Sequence, residues 1–323
     1  MGLKIVFCLL AATVAGLDLK SLYLPEQGLD AMGLIEYWGY EGEEYIAETE
    51  DGWLLPIHRI PRGINETGSN PNKPVVILQH GLECASDNFL LNLPHQSPGF
   101  VFADAGYDVW MPNSRGNTYA KNKYYNSYIC DTNEDLAIGQ SICDLTAYAQ
   151  FSLGLLSQTS FDILTALTCV TPAEREYCAQ VFYWFGGPST TTNVMPIYTN
   201  HIPAGASTAT VQKYCQSGNL ETGGFKWYKY PTAAENIARY GQEEPPYYNL
   251  TKMEVPLYLY STPEDYLTTL VQLEDDILPN LAPGVLQEDN RYPGFSHMDF
   301  LWGLNATEMV YNKVIDDINA DYE

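Results

Sequence analysis

Residues 74–82 read Pro74-Val75-Val76-Ile77-Leu78-Gln79-His80-Gly81-Leu82, an apolar run that ends in a short polar turn. A continuous apolar run of this length is typical of a strand that is buried on both faces of a parallel sheet. Phe100–Ala105 then predicts a helix that stops at Gly106, and Tyr107–Met111 predicts a second buried strand. The order strand, loop, helix, strand predicts an α/β fold.

Further strands and helices are expected on either side of this unit. Upstream, Tyr45–Thr49 and Trp53–Arg59 flank an Asp-Gly turn and predict a β-hairpin. Downstream, the pattern returns in one predicted strand and two predicted helices, which are Pro256–Tyr260, Thr268–Leu278 and Tyr311–Ile318. Residues 113–203 lack this alternation, so the sequence assigns no regular order to the middle of the chain.

Composition and charge exclude several classes of protein. The chain has 323 residues, of which 46% are apolar and 17% are charged, so it is not disordered, collagen-like or a coiled coil. Its 16 basic and 40 acidic residues give a net charge of −24, which excludes a nucleic acid as a partner. An anionic membrane surface is also expected to repel the protein as a whole.

Residues 1–16 have the pattern of a signal peptide. Lys4 precedes the apolar run Ile5–Val14, and the small residues Ala15 and Gly16 follow it. The alternative interpretation is a buried amino-terminal helix. About ten apolar residues are too few to span the ~30 Å of a bilayer core, and no later stretch reaches about eighteen apolar residues, so we expect no permanent membrane anchor. The mature protein is expected to be secreted or lysosomal.

Two further features fit an exported protein. Three Asn-x-Thr acceptor sequences predict glycosylation at Asn65, Asn249 and Asn305. Once the signal peptide is removed, six cysteines remain, and an oxidising compartment permits disulfides between them. Cys169 and Cys178 bracket a short polar loop, which we expect a disulfide to close. The pairing of the other four stays open, and these are Cys84, Cys130, Cys143 and Cys215.

Two loops contain residues that are suited to ester chemistry. His297 lies late in the chain, and Asp265 follows the predicted strand Pro256–Tyr260. α/β-Hydrolases place a catalytic acid and then a histidine in this chain order, where the acid holds the imidazole tautomer and the histidine takes the proton of the nucleophile. The alternatives are a packed or surface histidine and a solvated carboxylate.

The turn after the first buried strand is the third candidate feature. Gly81 lets the chain turn sharply in His80-Gly81-Leu82, so that the Leu82 amide faces a developing oxyanion. The alternative is an ordinary turn that ends a strand.

Six short sequence motifs, in this order along the chain, resemble motifs of the acid lipase family, which comprises the gastric and lysosomal acid lipases. They are Leu78–Leu82, Ala103–Trp110, Asn113–Thr118, Ile202–Ser207, Pro245–Leu250 and Ser296–Trp302. The resemblance implies an α/β-hydrolase fold with a helical cap, which cleaves esters of neutral lipids without a cofactor or a metal. It also implies that His297 is the catalytic histidine, Asp265 the catalytic acid and Leu82 an oxyanion donor. The expected Cys169–Cys178 bridge is similar to one in the cap of the family.

The resemblance also implies a division of the chain. Residues 17–143 are the amino-terminal part of the hydrolase core, with the amino-terminal lipase region at 30–80. Residues 144–215 are the cap, and residues 216–323 are the carboxyl-terminal part of the core.

One part of the family pattern is absent. The family carries its nucleophile in a Gly-His-Ser-Gln-Gly elbow, and this sequence contains no Gly-x-Ser-x-Gly. About 60 residues, the size of two strand-helix units, are missing before the cap. The nearest substitute is Ser141 in Gly139-Gln140-Ser141-Ile142-Cys143, and the alternative is a serine at a deletion junction. The family also has glycines before its catalytic acid, where this chain has Ser261–Glu264.

An internal deletion of this kind predicts an incomplete central sheet. Loss of the elbow strand and its neighbour either leaves Val75–Leu78 with an unpaired edge or forces Pro256–Tyr260 to pair elsewhere.

Three functional hypotheses follow. The first is a lipase that hydrolyses triacylglycerols or steryl esters by a Ser-His-Asp mechanism and is inactive as written. In that case either the gene product is longer than the written sequence or the protein has lost its nucleophile. The second is a secreted, non-catalytic protein that binds or stores neutral lipid esters or fatty acyl ligands. The third is an enzyme that uses Ser141.

Overall fold

The computed structural model describes residues 24–68, 70–122, 186–187, 195–217 and 224–322. The signal peptide at 1–16, Ser141, the Cys169–Cys178 bridge and most of the cap at 144–215 therefore lie outside the described residues. The strands are β1 (Glu43–Glu48), β2 (Trp53–Ile60), β3 (Val75–Ile77), β4 (Asp108–Pro112), β5 (Lys121–Asn122), β6 (Leu257–Ser261) and β7 (Leu286–Arg291).

The helices are α1 (Ala31–Tyr37), α2 (Pro98–Asp104), α3 (Met195–His201), α4 (Thr208–Ser217), α5 (Ala233–Tyr240), α6 (Leu270–Gln272), α7 (Asp299–Trp302) and α8 (Asn312–Tyr322). A π turn at Leu273–Ile277 and a 3₁₀ turn at Leu278–Asn280 continue α6, and a π turn at Thr307–Tyr311 precedes α8. Further 3₁₀ turns span Ser86–Phe89, Pro94–Gln96 and Leu250–Lys252. In the part of the chain that the structure describes, no helix combines the length and the apolar content that a membrane crossing requires.

The predicted hairpin is present. β1 and β2 pair antiparallel from Glu43 opposite Arg59 to Glu48 opposite Leu54. Gly52 supplies the left-handed φ of 84° that the turn needs. β4 then pairs antiparallel with β2 and parallel with β3, so the sheet order is β1-β2-β4-β3, with β5 on the end of β2. The expected helix before Gly106 is α2, and β4 is the second expected strand.

The sheet ends at β3 within the described residues. Val75 is 52% and Ile77 is 67% exposed, although the sequence predicted a strand buried on both faces. That expectation is wrong because burial depends on the neighbours of a strand, and β3 has only β4 beside it among the described elements. The predicted unpaired edge is therefore found.

The strand predicted at Pro256–Tyr260 also pairs away from this sheet. It forms β6, which runs parallel to β7 in a separate two-stranded sheet. The described chain is thus an α/β protein whose mixed sheet is partial, as the sequence predicted. β7 was not predicted from the sequence because it is polar and half exposed, with alternating burial along Leu286–Arg291.

The main core lies between the first sheet and the helices α1, α2 and α3. Its largest fully buried side chains include Trp302 and Tyr198, whose rings stack with centroids 4.2 Å apart. Outside this core, Arg59 on β2 donates two hydrogen bonds to the carboxylate of Asp108 on β4, at 2.7 and 2.8 Å. Burial raises the pKa of Asp108, but the surrounding hydrogen-bond donors and positive charges, first among them Arg59, together lower it by more, so its pKa lies below the ordinary value.

Candidate functional site

Asp265 and His297 meet at the carboxyl ends of two neighbouring parallel strands. Asp265 follows β6 and His297 follows β7, and parallel strands bring such loops to the same edge of a sheet. The distance between His297 Nδ1 and Asp265 Oδ2 is 2.8 Å. The sequence therefore identified two residues that the structure brings into direct contact.

The Asp265 carboxylate is fully engaged. Its second oxygen, Oδ1, accepts hydrogen bonds from the amides of Leu267 at 2.8 Å and Thr268 at 2.7 Å. Burial raises the pKa of Asp265, but the bonds from His297 and from these two amides lower it by more. The carboxylate is therefore ionised at neutral pH and accepts a hydrogen bond from the Nδ1–H group of His297. This leaves the Nε2 atom of His297 as the basic nitrogen, on a side chain that is 38% exposed.

Two residues that precede Asp265 tie the two loops together. Thr262 Oγ1 donates to the carbonyl of Phe295 at 2.8 Å. The Glu264 carboxylate accepts a hydrogen bond from the amide of Gly294 at 3.1 Å. These two hydrogen bonds thus join the loop that carries Asp265 to the loop that carries His297. The sequence did not predict this support.

A pair of glycines also packs against these loops. The carbonyl of Gly186 accepts the amide of His297 at 2.8 Å. Gly187 has a φ of 95°, and a Cβ at this position would lie 2.0 Å from the carbonyl oxygen of Glu264. This contact was not predicted from the sequence, in which the Gly-Gly pair after an apolar run is the feature that indicates it.

His80 fixes the turn that carries Leu82. Its Nδ1 donates to the carbonyl of Gly81 at 2.7 Å, and its Nε2 accepts the amide of Ser114 at 3.0 Å. Burial lowers the pKa of His80, so the ring is neutral and both nitrogens serve structure. The left-handed backbone of the turn falls on Glu83, with a φ of 60°, and Gly81 is not among the glycines with a positive φ.

Behind this turn, a buried polar cluster anchors the chain. The Asp87 carboxylate contacts Nδ1 of His201 at 2.9 Å and accepts a hydrogen bond from the Tyr119 hydroxyl at 2.9 Å. The same hydroxyl accepts the amide of Ala31 at 2.9 Å. The end of α3 and the start of α1 are therefore fastened to the loop that follows Leu82.

Leu82, the predicted oxyanion donor, lines a cavity together with residues that include His80, Arg115, Ala206 and Tyr214, and neither Asp265 nor His297 is part of that wall. No group of three or more His, Cys, Asp or Glu side chains among the described residues is arranged to hold a metal ion.

The predicted modification sites differ in exposure. Asn65 and Asn249 are exposed, whereas Asn305 is half-buried and its Nδ2 lies 3.1 Å from the sulfur of Met309. Cys84 is a free thiol, and burial raises its pKa to about 12. Cys215 is disulfide-bonded.

Several known proteins are similar in sequence to this chain over nearly its full length. Residues 32–93 match the family model of the partial alpha/beta-hydrolase lipase region. Human gastric triacylglycerol lipase is 27% identical over an alignment of 373 positions, gaps included, which covers 92% of each chain. Human lysosomal acid lipase/cholesteryl ester hydrolase is 28% identical over 368 residues, covering 90% of this chain and 91% of the relative. Lipase lipl-1 of Caenorhabditis elegans is 30% identical over 393 residues, covering 96% and 95%. The chain belongs to the acid lipase family.

The α/β-hydrolase fold and the acid lipase membership expected from the sequence are confirmed. Thr262 and Glu264 stand where the resemblance led us to expect glycines, and both make hydrogen bonds that join the two loops. The departure is therefore compatible with the Asp265–His297 contact.

Proposed function

We propose that Asp265 and His297 are the acid and the base of a Ser-His-Asp lipase site for esters of neutral lipids. The 2.8 Å contact between Asp265 Oδ2 and His297 Nδ1, at adjacent strand ends, carries the proposal. In such a site the carboxylate orients the imidazole and the imidazole takes the proton of the attacking hydroxyl. The printed names of the relatives, a triacylglycerol lipase and a cholesteryl ester hydrolase, support triacylglycerols or steryl esters as substrates.

We also propose that this chain, with the sequence given by its 323 residues, does not hydrolyse lipid esters. Its sequence contains no Gly-x-Ser-x-Gly, so the nucleophile and the oxyanion amide that follows it are both missing. The similarity to lipase lipl-1 supports this interpretation, because it extends over 393 residues and this chain has 323. At least about 70 positions of that alignment therefore have no residue of this chain.

Labelling with a fluorophosphonate probe tests the nucleophile. The probe forms a stable bond with activated serines, so we expect no labelling of the purified chain or of its Ser141→Ala variant. Labelling that the Ser141→Ala variant abolishes would show that Ser141 is the nucleophile and would overturn the proposal. The intact mass of the deglycosylated native protein, with peptides mapped across residues 128–144, shows whether the natural product is longer than the written chain.

The second candidate is a non-catalytic lipid-binding protein, which the absent nucleophile motif favours. We expect saturable binding of a fluorescent fatty acid without release of product. A purified chain that is unfolded, or that shows no saturation, would exclude this function.

Export and glycosylation belong to both candidates. We propose that residues 1–16 are removed and that the mature protein is secreted or lysosomal, with glycans on the exposed Asn65 and Asn249. Amino-terminal sequencing and the mass change on glycosidase treatment test both points. Asn305 is expected to carry less glycan, because its amide contacts Met309.

A further inference from the structure

We propose that an exposed aromatic patch, formed by Phe225, Trp227, Tyr240 and Tyr248, docks the protein on an anionic lipid surface. The patch lies in the segment 213–252, and its four rings take no part in the candidate site or in the cavity described above. The proposal is independent of the nucleophile, since it concerns only where the protein adsorbs.

The rings of the patch form one connected surface. Phe225 and Trp227 are two residues apart in an extended segment, so both side chains lie on the same face. Hydrogen bonds from the amide of Trp227 to the Pro246 carbonyl and from the amide of Tyr248 to the Phe225 carbonyl, both 2.9 Å, fix this segment. The ring of Tyr248 lies 4.7 Å from that of Phe225 and 4.9 Å from that of Trp227.

Two of these rings are exposed although they are large and apolar. Phe225 is 40% and Trp227 is 48% exposed, while Tyr248 and Tyr240 are partly buried beside them. The centroids of Tyr240 and Trp227 are 6.4 Å apart. Contiguous exposed rings of this kind mark an interaction surface more often than isolated apolar residues do.

Cations border the patch. Lys213 lies over the ring of Tyr248 at 6.0 Å, and Arg239 lies over Tyr230, whose ring is 6.0 Å from that of Tyr240. Neither cation forms an ion pair with a carboxylate in the part of the chain that the structure describes. The positive charge at the edge of the patch is therefore available to a partner.

The distribution of charge along the chain points to an anionic partner. The segment 213–252 contains five of the 16 basic residues but only four of the 40 acidic ones. Its net charge is thus +1, whereas the rest of the chain carries −25. At physiological ionic strength the screening length is about 8 Å, so charges at the contact act on a surface while more distant carboxylates are screened.

A lipid surface fits the combination of residue types. Tyrosine and tryptophan rings with polar tips prefer the headgroup region of a bilayer, and lysine or arginine beside them is attracted to anionic headgroups. Long basic side chains also keep their charge in the headgroups while their stems cover apolar surface. The overall charge of −24 opposes adsorption in general, so this segment determines which face adsorbs.

Vesicle sedimentation with the full chain tests the proposal. The probes are vesicles of phosphatidylcholine alone and of phosphatidylcholine mixed with phosphatidylserine, at an ionic strength of about 0.15 M. We expect stronger binding to the mixed vesicles, and at least about tenfold weaker binding for Trp227→Ala. Lys213→Gln should weaken binding to mixed vesicles by about fivefold and leave binding to neutral vesicles unchanged.

Matched variants separate the patch from general effects. Ile46→Ala removes an exposed apolar side chain elsewhere and should bind as the parent protein does. Arg291→Gln changes the net charge by the same amount on β7 and should also leave binding unchanged. Trp227→Phe should retain binding but lose the quenching of tryptophan fluorescence by brominated lipid. Each protein is measured before and after deglycosylation, because Asn249 directly follows the patch.

Three results would overturn the proposal. The first is a lack of preference for the mixed vesicles, and the second is a Trp227→Ala variant that binds as the folded parent does. The third is a light-scattering mass that falls to that of a monomer in Trp227→Ala, which would show that the patch contacts a second copy of this chain.

Discussion

Replacing two isoleucines of the same sheet tests whether the sheet ends at β3. Ile60 on β2 is completely buried, whereas Ile77 on β3 is 67% exposed. Truncating a buried isoleucine to alanine costs about 2–5 kcal/mol, so Ile60→Ala should lower the free energy of unfolding by about 3 kcal/mol. Only a third of Ile77 is buried, and the same truncation there should cost about 1 kcal/mol. Both variants remove the same atoms, so the difference reports burial alone.

Urea unfolding, followed by tryptophan fluorescence, measures both values. The midpoints are compared at a shared slope, because a change in slope would indicate a changed unfolded or native state. A loss for Ile77→Ala as large as that for Ile60→Ala would refute the reasoning. It would mean that the outer side of β3 is covered in solution, as in a complete α/β-hydrolase sheet.

Three further predictions concern single residues. Asp265→Asn should move the proton of His297 from Nδ1 to Nε2, because the amide of asparagine donates where the carboxylate accepted, and nitrogen NMR shifts report the tautomer. Asp108, whose pKa is lowered in the folded protein, stabilises it above pH ~4 and loses this effect as the pH falls through its folded pKa, so the stability deficit of Asp108→Asn should shrink towards pH ~3. Gly106→Ala should cost about 1–2 kcal/mol for its φ of 99° alone, since no atom lies within 4 Å of the new Cβ. Gly116→Ala should cost at least about 1 kcal/mol more, because its Cβ would lie 2.4 Å from a backbone nitrogen, and thermal unfolding compares the two.

Local patterns predicted the elements whose stability is local. The hairpin follows from the Asp-Gly turn, and Gly52 adopts the left-handed backbone that this turn requires. The stop of α2 follows from Gly106. By contrast, the burial of β3 depends on a neighbouring strand that is distant in sequence, so its apolar composition predicted burial where the structure has an edge. β7 was missed because a half-exposed strand can consist largely of polar residues.

The candidate site shows the same division. Chain order and the family resemblance identified Asp265 and His297, and the parallel pairing of β6 with β7 brings them together. The supporting contacts could not be predicted, since the hydrogen bonds of Thr262 and Glu264 depend on how two separate loops pack. The cavity that Leu82 lines likewise depends on how segments distant in sequence pack, which no local pattern encodes.

Hydrolysis of a triolein emulsion by the purified chain tests the central claim most directly. The claim is that this acid lipase has the acid and the base of its site but no nucleophile. We predict that fatty acid release by the chain equals that of its His297→Ala variant, at the background rate of the emulsion. Steady release that the His297→Ala variant abolishes would contradict the claim, because it would require a working nucleophile within the written sequence.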